Sequence, residues 1–300
     1  MGCSTRLLSI IAVFFLVLLV ASLVTGAIGS RFTGMDPLSS KPAIHLPSQP
    51  VFPPQEKPEP GRFAITNTIL ASWFTTAFLV LLFFLVARKP KLVPGRLKGL
   101  VEGIVEFLLN MIEGAMGKER ARTVFPLVAT IFLFVAFNAW LSALPFFGPI
   151  GYKDEHGAIA IPLLRNAGSD INLTLAIALV AVFTVEFWGV RAVGALRYAG
   201  QFVNVRQLRR GRPLGVVDLF VGGLEALSHL IRIVSFTFRL FGNMTAGKSL
   251  LLIVAFLFPF LAWAGYGLEL FFGLIQAFIF AVLTMVFAAL AVQPHEDETH

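Results

Sequence analysis

Cysteine is almost absent from this chain: Cys3 is the only one in 300 residues. An internal disulfide and a thiolate metal site are therefore excluded. Cys3 also precedes the first apolar run, where a lipoprotein cleavage site would have it follow. Charge is scarce too, at 14% of residues, against about a quarter in a soluble domain. Nowhere does a Ser-His-Asp set, a phosphate-cradling glycine loop or a metal-ligand cluster occur. Soluble-type catalysis is not expected, and neither is a cofactor or a metal. The helical repeat that would mark a secondary transporter is also missing. What the chain has is apolar surface: 57% hydrophobic residues and a mean hydropathy of +0.81. Its net charge of +7 is compatible with nucleic-acid binding, but the basic residues cluster in two loops between apolar blocks. Membrane lipid, not nucleic acid, is the expected surrounding.

Residues 7–29 form the first apolar block, behind Arg6. Ile10 to Val24 fits a signal-peptide core, with Thr25-Gly26-Ala27 offering small residues for cleavage. The same block is long enough to span a membrane. Residues 1–29 thus read as a signal peptide or as an N-terminal anchor. Residues 30–62 hold eight prolines (Pro37, Pro42, Pro47, Pro50, Pro53, Pro54, Pro58 and Pro60) and are expected to form an extended external arm rather than a helix.

The membrane domain is expected over 63–292, with a tail at 293–300. Residues 64–87 are uncharged and end at Arg88, Lys89 and Lys91, as a spanning helix with a basic flank does. Over 97–116, Leu97, Leu100, Val101, Ile104, Val105, Leu108 and Ile112 recur at helical spacing. Lys98, Glu102, Glu106, Asn110 and Glu113 step along the other face, so an amphipathic interfacial helix is expected. Blocks 124–145 and 171–190 span again. The loop 191–212 carries Arg191, Arg197, Arg206, Arg209, Arg210 and Arg212 without an acid, whereas 146–170 mixes Lys153, Asp154, Glu155, Arg165 and Asp170. The positive-inside rule puts 88–98, 191–212 and the tail in the cytoplasm and the mixed loop outside.

The last two segments, 216–257 and 262–292, are too long for an upright span. The first is 42 positions without proline, about 63 Å as a helix against a bilayer core of about 30 Å. A continuous helix would lie at about 60° to the normal, well beyond the usual ~20°. The alternative is a break at Gly222-Gly223 or at Gly242. The fold class expected is all-α: a polytopic membrane protein of about five core helices plus an N-terminal apolar segment. Its last two helices are long and steeply tilted, and one amphipathic helix lies at the interface.

Within 216–257, Glu225, Ser228, Arg232, Ser235, Arg239 and Asn243 fall at spacings of three, four and seven. Seven residues is 20° short of two turns, so Glu225, Arg232 and Arg239 share a stripe. Arg239 lies among Phe236, Phe238, Leu240 and Phe241, where a charge costs several kcal/mol and arginine cannot escape by losing its proton. Glu225 is about four turns away, so the anionic partner of Arg239 must come from elsewhere. The blander readings differ by residue. Ser228, Ser235 and Thr237 suit hydroxyls bonded back to the backbone. Glu225 and Arg232 suit a structural ion pair, His229 a packing residue, and Glu186 a partner for a loop arginine. Glu269 and Gln276, seven apart, make a second polar stripe.

The run Ser235-Phe236-Thr237-Phe238-Arg239-Leu240-Phe241-Gly242-Asn243-Met244-Thr245-Ala246-Gly247 resembles the signature of the a subunit of F-type ATP synthases. Gln276-Ala277-Phe278-Ile279-Phe280-Ala281-Val282-Leu283-Thr284 resembles that family's final-helix motif, and Ser169-Asp170-Ile171-Asn172-Leu173-Thr174 a third. The resemblance covers roughly residues 64–292 in order and spacing. It implies a subunit that is no enzyme by itself, in the inner membrane of a bacterium. Its expected partners are a c-subunit ring, a b-subunit stalk and, through the complex, an F1 ATPase head.

In that family two nearly flat helices face the ring, and the buried arginine, here Arg239, meets each ring carboxylate in turn. Two offset half-channels then couple ion flow to rotation and ATP synthesis, with H⁺ the family default. By matching position Glu225 belongs to the cytoplasmic half-channel. Asn243, Glu269 and Gln276 line the outer one, with Asp170 near its mouth and Arg232 and Ser235 in support. One departure is Lys248, where many members carry an acid nine residues after the arginine. Matching positions approach each other across the outer channel, so a Lys248–Glu269 ion pair is expected.

Overall fold

The computed structural model describes residues 2–34, 36, 38, 48–52, 64–88, 95–144, 147, 150–153, 159–194, 198 and 214–292. Most of the proline-rich arm, most of both basic loops and the tail 293–300 lie outside the described residues. Helix α1 (Gly2–Thr25) is followed at Gly26 by a short α2 (Ala27–Thr33). The bend between them is 65°. The expectation that residues 30–62 are extended is corrected at their start, where residues 30–33 continue α2. Pro50–Phe52 is extended, forming strand β1, which pairs antiparallel with β2 (Ile65–Thr66).

Helix α3 (Asn67–Ala87) starts where the Thr66 hydroxyl accepts the Ile69 N–H at 3.4 Å. Helix α4 (Arg96–Met116) buries Val101, Leu108 and Ile112 and stops at Gly117, whose φ of 81° suits a residue without a side chain. Lys98 and Glu102 pair at 3.4 Å on its polar face. Of the predicted apolar face, Val101, Leu108 and Ile112 pack inward, whereas Leu97 and Leu100 stay exposed. Helix α5 (Lys118–Ser142) begins six residues earlier than expected and takes Pro126 into its interior. The carbonyl this proline orphans belongs to Arg122, on an exposed turn of the helix. After it come a hairpin of β3 (Gly151–Lys153) and β4 (Ile159–Pro162) and a short 3₁₀ turn at Ala167–Ser169.

Asp170 caps α6 (Ile171–Val193), its side chain accepting the Asn172 N–H at 3.0 Å. Helix α7 (Leu214–Leu257) runs 44 residues through Gly222, Gly223 and Gly242 without a break. It ends because Phe258 precedes Pro259 and is pushed out of the helical region, to φ −139° and ψ 78°. Helix α8 (Ala262–Val292) follows over 31 residues. At 1.5 Å per residue α7 is about 66 Å long, twice the thickness of a bilayer core. Five helices are long and apolar enough to cross a membrane, and six if the bent α1–α2 pair counts as one. The chain is an all-α polytopic membrane protein.

Helices α5 to α8 enclose the core. Phe236 of α7 lies against Phe280 of α8, centroids 4.6 Å apart, and both rings are buried. In lipid no hydrophobic force gathers helices, so close backbone approach has to do it. Gly273, Ala277 and Ala281 recur every four residues on the buried face of α8, with Ala139 of α5 opposite Gly273. Helix α1 docks at the corner between α7 and α8. Ser22 Oγ accepts the Phe260 N–H at 3.2 Å, and a Cβ on Gly26 would stand 1.9 Å from the Leu257 carbonyl oxygen.

A Cβ on Gly273 would lie 2.6 Å from that of Ala139, closer than real contacts allow. Gly273→Val should force α5 and α8 apart at a cost of about 1–3 kcal/mol, and immunoblots of membranes should show less subunit. Gly103→Ala, with nothing within 4 Å of the added atom, should leave the level unchanged.

Candidate functional site

Arg239 sits midway along α7 on its exposed side, next to Phe238, while Phe236 and Leu240 turn inward to the core. Its Nη2 donates to Ser235 Oγ at 3.3 Å. Among the described residues no carboxylate comes within 4.0 Å of it. The guanidinium is presented outward, its anionic partner supplied by nothing described in this chain. Of the neighbouring hydroxyls, Ser228 and Thr237 bond back to the Leu224 and Ile233 carbonyls at 3.0 and 2.8 Å.

Toward the start of α7 the polar groups gather around Glu186, near the end of α6. His229 Nδ1 lies 2.5 Å from Glu186 Oε1 and Arg232 Nη1 lies 3.6 Å from the same oxygen. The Tyr198 hydroxyl donates to Oε2. The Arg232 guanidinium also stacks 3.8 Å over the Phe287 ring of α8. One expectation is corrected here. Arg232 pairs across helices with Glu186, not along its own helix with Glu225, and among the described residues Glu225 has no ion pair. Glu186 is met by Arg232 of α7, while the loop arginines Arg197, Arg206, Arg209, Arg210 and Arg212 lie outside the described residues. Burial, then the bond to Glu186, pushes the Tyr198 hydroxyl pKa up, so it keeps its proton and serves as a donor.

On the other side of Arg239 a second polar cluster joins four elements. Asp170 is buried and accepts a hydrogen bond from Thr68 of α3 at 2.8 Å. Asn166 Oδ1 accepts from Asn138 Nδ2 of α5 at 3.0 Å and from the Gly168 N–H at 2.8 Å. Asn166 Nδ2 reaches Met244 Sδ of α7 at 3.6 Å. Arg165 is drawn into this cluster. Burial lowers its pKa, and the nearby Asp170 carboxylate works against that fall.

Lys248 on α7 lies within electrostatic reach of both Arg165 and Glu269. No N–O contact within 4.0 Å joins Lys248 to Glu269. The direct ion pair expected from the sequence is therefore not formed: Arg165, a like charge from the turn before α6, shares the neighbourhood of Lys248. Asn243 Nδ2 points to the Phe272 carbonyl at 3.5 Å. Gln276 is buried on α8. Its Nε2, with Glu269 Oε2, Thr245 Oγ1 and Asn138 Oδ1, is enclosed without a protein hydrogen-bond partner. Such groups cost energy in a dry interior and mark places that bind water.

Sequence reasoning missed Thr68, Asn138, Asn166 and Arg165. Asn138 carried a readable signal, as the one amide inside an otherwise apolar span. Thr68 and Arg165 carried none, because their roles depend on which elements pack together.

These features define a class: an all-helical, multi-pass membrane protein whose longest helix presents a fixed positive charge outward between two buried polar clusters. Residues 69–289 match the family model described as ATP synthase A chain. The chain is 31% identical over 242 residues to ATP synthase subunit a of Helicobacter pylori (strain P12), covering 79% of this chain and 95% of that protein. It is 32% identical over 241 residues to ATP synthase subunit a of Mycobacterium ulcerans (strain Agy99), covering 77% and 89%. The chain belongs to the ATP synthase A chain family, the family of subunit a.

Thr68→Val should keep the shape of α3 while removing a donor to buried Asp170. The expected loss is about 1–3 kcal/mol of stability, read as a lower temperature of thermal release of the subunit from purified membranes. Thr76→Val, which gives up only a bond to its own helix at the Ser72 carbonyl, should change it little.

Proposed function

We propose that this chain is the stationary proton-channel subunit of a rotary F-type ATP synthase, not catalytic itself. The observation that carries the reading is Arg239: a cation that cannot be neutralised, facing outward from an apolar helix with no carboxylate of the described chain to meet it. A ring of c subunits, each bringing a carboxylate past this point, supplies the missing anion. The fixed charge would keep that carboxylate ionised at the interface and block a direct leak. The b-subunit stalk and the F1 head complete the assembly, with the basic loops and the C-terminus in the cytoplasm of a bacterium. Helices α7 and α8 then lie steeply inclined, since helices about 66 and 47 Å long exceed an upright span.

The two polar clusters support two offset half-channels. Glu225, with Arg232 and Ser235 in support, belongs to the cytoplasmic one. Asn243, Glu269 and Gln276 line the outer one, with Asp170 near its mouth and Lys248 beside it. The enclosed, unpartnered atoms of Glu269 and Gln276 favour a hydrated path there. A charge crossing ~100 mV releases ~2.3 kcal/mol, and the offset turns that energy into rotation.

Arg239→Ala should abolish ATP-driven proton pumping in inverted vesicles, followed by quenching of a ΔpH dye, while the complex still assembles. Normal pumping by the assembled variant would refute the mechanism. Glu269→Gln keeps the side chain's shape and removes its charge. Pumping should slow roughly tenfold, ~1.4 kcal/mol on the barrier, and an unchanged rate would remove Glu269 from the path.

A further inference from the structure

We propose that Glu186, on α6, is a positioning residue of the half-channel on the basic-loop side, and that it holds His229 as the group that loads and releases the proton there. The proposal rests on the functional reading above and adds to it a site on a different helix from Arg239. Glu186 is only 20% exposed; the Tyr198 hydroxyl donates to its Oε2, and the His229 and Arg232 nitrogens lie 2.5 and 3.6 Å from its enclosed Oε1. Arg232 and Tyr198 are fixed donors at physiological pH, the first by its intrinsic pKa and the second by its burial beside the carboxylate. His229 brings an imidazole to the cluster, the side-chain type used as a proton shuttle.

Geometry makes the cluster a path as well as a clamp. Glu225, His229 and Arg232 follow one another on α7 at spacings of four and three, so they are stacked on neighbouring turns. Arg232 is followed three residues later by Ser235, whose hydroxyl is bonded to Arg239. Polar groups therefore occupy successive turns from Glu225 up to the arginine, with Glu186 bridging from α6 at the level of His229 and Arg232. Among the described residues, the charged and titratable groups around this point are Glu225, His229 and Arg232 from α7 and Tyr198 from the basic loop. Helix α8 contributes Phe287, whose ring covers the guanidinium and shields the pair from the core.

A purely structural cross-link between α6 and α7 would use the same contacts, so the test needs a readout that such a link does not move. Purified complexes carrying His229→Gln or Glu186→Gln are reconstituted into vesicles and normalised to assembled subunit. ATP-driven pumping is then measured from pH 5.5 to 9, with Arg239→Ala alongside. The expected result is a loss that grows as protons become scarce, reaching roughly tenfold, one unit of log rate, at the alkaline end. For His229→Gln the pH profile should change shape, because glutamine cannot take up or release a proton. Should Glu186→Gln fail to assemble, His229→Gln decides alone. A pH profile parallel to the parent's in the assembled His229 variant overturns the inference. If Arg239→Ala is dead while the His229 profile is unchanged, only this inference fails; if Arg239→Ala pumps, the reading beneath it fails.

Discussion

A guanidinium that keeps its proton under all conditions, held on the outer face of an apolar helix, constrains the rest of this structure. Burying such a charge in hydrocarbon costs several kcal/mol, and arginine has no neutral form to fall back on. Two responses are open to a chain: turn the residue inward onto an acid, or hold it outward at a fixed depth for an acid from outside. Arg232, seven residues earlier, takes the first course with Glu186. Arg239 faces outward, with the Ser235 hydroxyl as its only hydrogen-bond partner among the described residues, and under the proposed function it takes the second course.

Holding a residue at fixed depth requires a rigid support behind it. The support is the core between α7 and α8, where Phe236, Leu240 and Phe280 are almost wholly enclosed. Its tightness comes from small residues rather than from hydrophobic collapse, because lipid solvates an apolar side chain as well as another helix does. Gly273, Ala277 and Ala281 let α8 approach α5 closely, and the Trp140 indole N–H adds a bond to the Leu270 carbonyl at 3.1 Å. The length of α7 follows from the same need. One unbroken helix carries Glu225, Arg239 and Lys248 in a fixed relation that a kink at Gly242 would have loosened.

Local pattern made most of this fold legible, and the exceptions share a cause. Apolar runs located every crossing helix, and Pro259 marked the corner before α8 to within a residue. The stripe spacing on α7 singled out Arg239 because its neighbours in sequence are also its environment. Partners distant in sequence were not readable. Glu186 meets His229 and Arg232 across more than forty residues, and only the packing of α6 on α7 brings them together. The Lys248–Glu269 pairing failed for a related reason. Helical angles gave the direction of each side chain on its own helix, but not the presence of Arg165 beside Lys248. Start points of helices were the other weak spot: α5 tolerates Pro126 internally because an exposed turn leaves the orphaned Arg122 carbonyl to water.

The placement of the polar clusters bears on why a leak would be avoided under the proposed function. On α7 the Glu186 cluster ends at Arg232, about 10 Å of helix before Arg239, and the outer cluster begins at Asn243, about 6 Å after it. Between them, on the inward side of α7, lie Phe236, Leu240 and Phe280, with no polar atom among their side chains. The buried hydroxyls there, Thr237 and Thr284, are bonded back to the Ile233 and Phe280 carbonyls of their own helices, so an ion crossing the interior of the bundle would be poorly solvated, at a cost of several kcal/mol. Along α7 the gap is bridged by the Ser235 hydroxyl and by Arg239, to which it is bonded. Under the proposed function a proton would pass on the outer face, carried on a partner's carboxylate, and the cation that attracts that carboxylate would also repel an unaccompanied proton. The apolar side of α7 and the outward arginine would then act together against a leak.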